Sequence, residues 1–185
     1  VSYITDSAVK FIVVHYSATW EDQKVTAADI ERMHLARGFA KIGYHAFVRL
    51  SGVTEPGRDM TRPGFVEQGA QVYGHNGHSI GICWAGGLKR GHTINEGFDT
   101  RTPAQTASLI RWIDAQLERF GGDGMDPAKG PVVVGHRDFA DAATQCPGFD
   151  AAVWWSAVQE QRARASRAKP AGLATLFQCI KEIFA

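Results

Sequence analysis

A chain of 185 residues with 44% hydrophobic residues is long enough to bury one core and too short for two ordinary domains without a visible linker. Its net charge of +1, with 21% charged residues, excludes the strong basic excess of a dedicated nucleic-acid-binding protein. Three cysteines, Cys83, Cys146 and Cys179, are odd in number and far apart, unlike the disulfide framework of a small secreted domain.

The N-terminal stretch "VSYITDSAVK" has neither the basic segment nor the apolar core of a signal peptide, and no apolar run reaches the roughly 18 residues that span a bilayer. Synthesis in a reducing cytoplasm is expected. Next comes "KFIVVHY", an apolar run of strand length. Helical spacing from about Thr26 to Arg37 then places Ile30, Met33 and Arg37 along one face, and Gly38 stops it. Two further strand-length runs, "YHAFVRL" and "SIGICWA", follow. In "TPAQTASLIRWIDAQLERFGG", Thr102 is the expected N-cap, Pro103 the first helical residue and Gln105 the partner in a capping box; Gly121 ends the helix. Its buried stripe is Leu109, Ile110, Ile113, Leu117 and Phe120. After the fourth strand-length run, "PVVVGH", a third helix begins near Asp150 and carries Val153, Trp154, Ala157 and Val158 inward. It is expected to dissolve into the basic stretch "QRARASRAKP", which ends in a helix-breaking proline.

Alternating strands and helices define a single α/β domain with a central mixed, mostly buried β-sheet flanked by helices. The expected division is a globular domain at 1–160, a basic connector at 161–170 and an extra C-terminal amphipathic helix at 171–185. That last segment, "AGLATLFQCIKEIFA", lines up Leu173, Leu176, Phe177, Ile180, Ile183 and Phe184. It either packs on the domain or, with Arg162, Arg164, Arg167 and Lys169 beside it, contacts an anionic membrane surface.

His15 ends "FIVV" as His136 ends "VVVG", so two strands each deliver an imidazole at the carboxyl end, where α/β sheets collect their ligands. Together with Cys146 they would make a three-ligand zinc site with a fourth position open for water, the catalytic arrangement. The spacing has no local chelate geometry, so two plainer readings stay open: His15 as a core histidine bonded to a carbonyl, and Cys146 as a small buried hydrophobe. Other chemistries fit less well. "GGLKRG" lacks the GK[ST] ending of a phosphate loop, and Glu55 and Asp59 in "TEPGRD" read as turn and salt-bridge residues rather than a glycosidase pair.

Five stretches, "FIVVHYSAT", "GYHAFVRLSGVTEPGR", "GHNGHSIGICWAGG", "TPAQ" and "GHRDFADAATQCPGFD", stand in the order seen in zinc-dependent N-acetylmuramoyl-L-alanine amidases. Over roughly residues 8–155 the chain resembles the amidase-type lysozymes of bacteriophages and, more broadly, the peptidoglycan recognition proteins. The resemblance implies that His15, His136 and Cys146 bind Zn2+ and that Tyr44, in "GYH", assists the reacting water. It implies peptidoglycan as the partner, cleavage of the bond between N-acetylmuramic acid and L-alanine, and a role in phage-induced lysis of the host.

Two positions depart from the pattern. Where the phage enzymes commonly have a lysine two residues before the cysteine, this chain has Thr144, which donates one hydrogen bond to an oxyanion without a charge. Where many relatives read "GAH", it has Gln71, which cannot titrate near neutral pH. Gln71, His75, Asn76 and His78 are therefore expected to contact substrate. His45, next to Tyr44 in an extended run, is expected to face the core; His34 and His92 read as helix-face and loop residues, and Cys83 as packing. A monomer without nucleic acid is expected, made in the cytoplasm and acting in the periplasm or cell wall after its release. Two rival readings stand beside this one. The first is a module that binds peptidoglycan without cutting it, against which the retained Cys146 speaks. The second, implied by the resemblance to the phage enzymes, is an additional regulatory contact with a phage RNA polymerase.

Overall fold

The computed structural model describes residues 1–168, so the segment expected to be helical at 171–185 lies outside the described residues. In chain order the elements are β1 (Tyr3–Thr5), β2 (Phe11–Tyr16), β3 (Thr19–Trp20), α1 (Ala27–Ala36), β4 (Ala46–Val48), β5 (Thr54–Pro56) and β6 (Phe65–Glu67). They continue with β7 (Ser79–Trp84), β8 (Gly87–Leu88), α2 (Pro103–Phe120), β9 (Val132–Gly135) and α3 (Ala151–Ala168). Single 3-10 turns occupy Asp6–Ala8, Asn76–His78 and His136–Asp138.

The central sheet has the order β5-β4-β7-β2-β9. Strands β4, β7, β2 and β9 are parallel neighbours, and they are the four apolar runs of the sequence; β5 closes the edge antiparallel to β4, making the sheet mixed. Near-continuous apolar strands are what a parallel sheet covered on both faces requires. Within each strand, alternate side chains divide between those faces. Ile12, Val14, Ile80, Ile82, Val48 and Val133 meet Leu109, Ile113 and Leu117 of α2 and Ala151 and Trp155 of α3. On the other face Phe47 and Cys83 pack with Ile30 of α1 and Ile42, while Val13 packs with Val72 and Phe139.

Helix α2 begins and ends as its sequence requires. The Thr102 hydroxyl accepts from Gln105 N, the Gln105 side chain accepts from Thr102 N, Pro103 opens the helix, and Gly121 closes it at φ 85°. Leu109, Ile113 and Leu117 are buried, with Ile110 and Phe120 partly so.

The other two helices turn differently from expectation. In α1 the buried pair is Ile30 and His34, whereas Met33 is 41% exposed and Arg37 is exposed as well. The reason is polar: His34 Nδ1 accepts a hydrogen bond from the buried Gly43 amide at 2.9 Å, so the imidazole is drawn inward. In α3 the inward residue is Trp155, fully buried with its Nε1–H donated to Asp123 O at 2.8 Å. Val153 is 65% exposed, Ala157 is exposed, and Trp154 and Val158 pack only partly. An indole whose polar edge is satisfied removes more apolar surface from water than a valine, so it sets the rotation of the helix. Nor does α3 dissolve at the basic stretch: it stays helical through Ala168. Arg162 grips Asp114 of α2 with two bonds of 2.8 and 2.6 Å, so the first residues assigned to a connector belong to the helix.

One buried carboxylate ties down the segment that leads to the site. Glu67, 2% exposed, pairs with Lys41 at 2.8 Å and Arg58 at 3.0 Å and accepts from Asp59 N at 2.9 Å. Arg58 in turn donates to Ile42 O at 2.6 Å, and His45 Nε2 bonds Glu67 O at 2.9 Å. Burial alone would raise the pKa of Glu67, but the Asp59 amide and the two cations hold it below the ordinary glutamate value.

Candidate active site

The register of the sheet builds the site. Val14 of β2 stands opposite Gly135 of β9, so the next residues, His15 and His136, emerge side by side with ring centroids 4.8 Å apart. Across the other edge of β2, His15 pairs with Cys83 of β7, and directly paired residues share a face. That face is not the one covered by α2 and α3. It opens instead on a cleft of about 250 Å³, lined by the three expected ligands together with Tyr44, Gln71, Thr144, His34 and Arg37.

Cys146 arrives from the loop after β9. Gly135 permits this approach, because a Cβ there would lie 2.5 Å from Pro147 Cδ. Cys146 O accepts from Arg137 N at 2.8 Å, its Sγ accepts from Tyr16 N at 3.3 Å, and Thr144 Oγ1 accepts from Cys146 N at 3.1 Å. Sγ then lies 3.5 Å from His15 Nδ1, and one ligand atom from each of His15, His136 and Cys146 lies within 4.8 Å of the other two. Around a tetrahedral zinc ion, bond lengths of about 2.0 Å to nitrogen and 2.3 Å to sulfur place nitrogen and sulfur about 3.5 Å apart, which is the separation of His15 Nδ1 from Cys146 Sγ. Their softness, imidazole with thiolate, suits zinc and not magnesium or calcium.

Electrostatics prepares the donors. Burial, reinforced by the neighbouring His136, pushes the His15 imidazole down to about 3, and burial also lowers His136. Both rings are neutral at pH 7, with lone pairs free to ligate. Burial pushes the Cys146 thiol up to about 12 against the pull of the Tyr16 amide, so this thiol gives up its proton only when a cation takes its place.

Tyr44 sits just before β4 and not within it, its ring 5.1 Å from that of His15 and 5.3 Å from that of His34. Burial raises its phenol well above the ordinary value, and the sulfurs of Cys83 and Cys146 add to this. The phenol therefore holds its proton throughout the neutral range and acts as a hydrogen-bond donor. His45 turns away as expected, its Nδ1 accepting from Gly81 N at 3.0 Å.

The loop residues expected to touch substrate are not gathered into the cleft. Only Gln71 lines it, and its amide is turned inward onto His15. The Asn76 side chain closes its own turn, accepting from Gln71 N at 2.8 Å and Val72 N at 3.0 Å. His75 and His78 bond each other at 3.2 Å beside Phe11 and Phe139, in a separate depression. His92 pairs with Glu96 on an exposed loop; Glu55 and Asp59 serve the Ala27 and Thr61 amides as structural acceptors.

Two residues gain a place here that sequence reasoning withheld. His34 forms a wall of the cleft, stacked on Phe39 at 4.9 Å, and its spacing of four from Ile30 is the signal that marks it. Cys83 is buried in the cluster against which Tyr44 packs. Only the pairing of β2 with β7 reveals that position.

Two imidazoles and a thiol converging on one wall of an open cleft, at the carboxyl ends of parallel strands, are the donor set of a hydrolytic metal centre. The particular family follows from comparison: residues 5–149 match the N-acetylmuramoyl-L-alanine amidase family, to which the chain belongs. It is an amidase whose substrate is peptidoglycan. The endolysin of Enterobacteria phage T3 is 33% identical over 144 residues, covering 78% of this chain and 83% of that one. Among solved structures, an endolysin N-acetylmuramoyl-L-alanine amidase from Clostridium intestinale superposes with a TM-score of 0.59 at 25% identity, covering 81% and 82% of the two chains. The peptidoglycan recognition protein PGRP-SA of the bumblebee shares the fold, with a TM-score of 0.61 at 18% identity over 83% of each chain.

Proposed function

We propose that this chain is a zinc endolysin that hydrolyses the amide bond between the lactyl group of N-acetylmuramic acid and the L-alanine of the stem peptide during phage-induced lysis of the host. The observation that carries it is the approach of His15, His136 and Cys146 within 4.8 Å in a cleft that also holds Tyr44 and Thr144. When bound, zinc supplies Lewis acidity, which polarises a carbonyl and makes hydroxide available near neutral pH.

The chain's own groups do the rest. His15 and His136 enter as neutral donors, and Cys146 contributes a thiolate held in place by the Tyr16 amide. Tyr44 keeps its phenolic proton at neutral pH and presents it to the oxygen that gains charge as the amide carbonyl becomes tetrahedral. The Thr144 hydroxyl, whose lone pair is engaged by the Cys146 amide, retains its own proton for the same oxygen. It supplies one neutral hydrogen bond where a lysine would supply a charge.

Mass spectrometry of purified peptidoglycan treated with the wild type and with Cys146→Ser, alongside the zinc content of each, tests this reading. Free stem peptides released only by the zinc-loaded wild type are the expected result. Intact glycopeptides with zinc bound would identify a recognition module, and intact glycopeptides without zinc would remove the metal site.

A further inference from the structure

The side chain of Gln71 is almost wholly withdrawn from solvent, and its surroundings dictate which way its amide faces. Its Nε2 lies 2.8 Å from Ser79 Oγ, and Ser79 Oγ lies 2.9 Å from His75 O. A hydroxyl has one proton to donate, and a carbonyl oxygen can only accept. Ser79 therefore spends its proton on His75 O and must receive one from Gln71, which only the amide nitrogen can give. The opposite corner, Oε1, is thus turned onto His15 Nε2. An amide oxygen cannot donate, so the proton between them belongs to His15 Nε2. The lone pair of His15 is then on Nδ1, the atom 3.5 Å from Cys146 Sγ.

Two further features hold this arrangement. The main-chain amides of Gln71 and Val72 are both tied to Asn76 Oδ1, at 2.8 and 3.0 Å. Beneath the side chain lies Gly81, where a Cβ would come within 2.6 Å of Gln71 Cδ, so a residue other than glycine would expel the amide from its slot. We propose that Gln71 is a positioning residue: it fixes His15 in the Nε2–H tautomer and aims Nδ1 at the metal position. A ligating imidazole whose second nitrogen is tied to an acceptor is held in both tautomer and ring orientation, and loss of such an acceptor typically weakens metal binding by about 10–100-fold. The part of this proposal that concerns the metal rests on the zinc reading above; the tautomer assignment stands without it.

The test uses the full chain with Gln71→Met, which keeps an unbranched side chain of similar length but offers no oxygen, and Gln71→Glu, which restores an acceptor. In the zinc-free wild type, nitrogen-15 NMR is expected to place the His15 proton on Nε2, slow to exchange and shifted downfield. That resonance is expected to vanish by exchange in Gln71→Met and to persist in Gln71→Glu. Zinc affinity by chelator competition is expected to fall about 10–100-fold in Gln71→Met and to recover in Gln71→Glu. A role in packing alone would leave the methionine variant unchanged. A wild-type His15 proton on Nδ1, or equal zinc affinity in the wild type and Gln71→Met, would overturn the proposal. A wild type that shows the Nε2 proton yet binds no zinc would instead sink the metal reading and leave the tautomer assignment in place.

Discussion

The two faces of the central sheet are made by alternate residues of the same strands, yet they obey different rules. On the α2 and α3 face, Ile12, Val14, Ile80, Ile82 and Val48 meet Leu109, Ile113 and Trp155, and the contacts are almost wholly apolar. On the opposite face the same strands present His15 and Cys83, and the neighbouring loops bring Tyr44, Gln71, His136 and Cys146. The first face excludes water and supplies stability. The second accepts the cost of burying polar groups by giving each a partner, as the bonds of His15, Gln71, Ser79 and His34 show. A one-residue slip of β2 would exchange the two sets, which is why the apolar face also secures the chemistry.

That division can be broken from either side. The largest effect expected is on stability: Trp155→Ala removes a fully buried indole and should destabilise the fold by about 4 kcal/mol. Denaturant unfolding measures this, and kcat of the protein that remains folded should stay within about twofold, because the residue lies on the far face. Next, Tyr44→Phe should lower kcat about 100-fold, the lower end of the range for a positioned proton donor. Its unfolding midpoint should be nearly unchanged, since the ring remains. If Tyr44→Phe lost stability and kept kcat, the cleft face would be structural and not chemical.

A smaller effect is expected at the strut between the faces and the Tyr44 segment. Glu67→Gln should cost about 2 kcal/mol at pH 7, the worth of bonds to charged partners. Because the folded pKa of Glu67 lies below its unfolded value, its contribution is present above the unfolded carboxylate range and is lost as pH falls through the folded pKa. Thermal midpoints of the wild type and Glu67→Gln should therefore differ at pH 7 and converge in acid. A gap that stayed constant down to pH 2 would assign the effect to packing rather than charge.

Much of this architecture is legible in the order of the amino acids. "KFIVVHY", "YHAFVRL", "SIGICWA" and "PVVVGH" are the four parallel strands, and Thr102, Pro103, Gln105 and Gly121 mark the ends of α2, because apolar runs and capping chemistry are local signals. The placement of His15 and His136 at strand ends is equally plain. Helix rotation is harder to read: Val153 and Trp155 are both apolar, and only the acceptor at Asp123 O decides which one turns inward. Gln71 is harder still, since a polar residue in a loop looks like a substrate contact until Gly81 is found to leave a slot behind it.

By itself, then, the sequence determined the strands, the caps of α2 and the identity of the chemical groups, since each depends on residues close together in the chain. Tertiary structure alone decided that His15, His136 and Cys146 meet, that Tyr44 packs on the cluster holding Cys83 and that Gln71 faces His15. Those contacts join residues up to 131 positions apart, and the choice of β7 and β9 as neighbours of β2, together with the return of the loop after β9, brings them together.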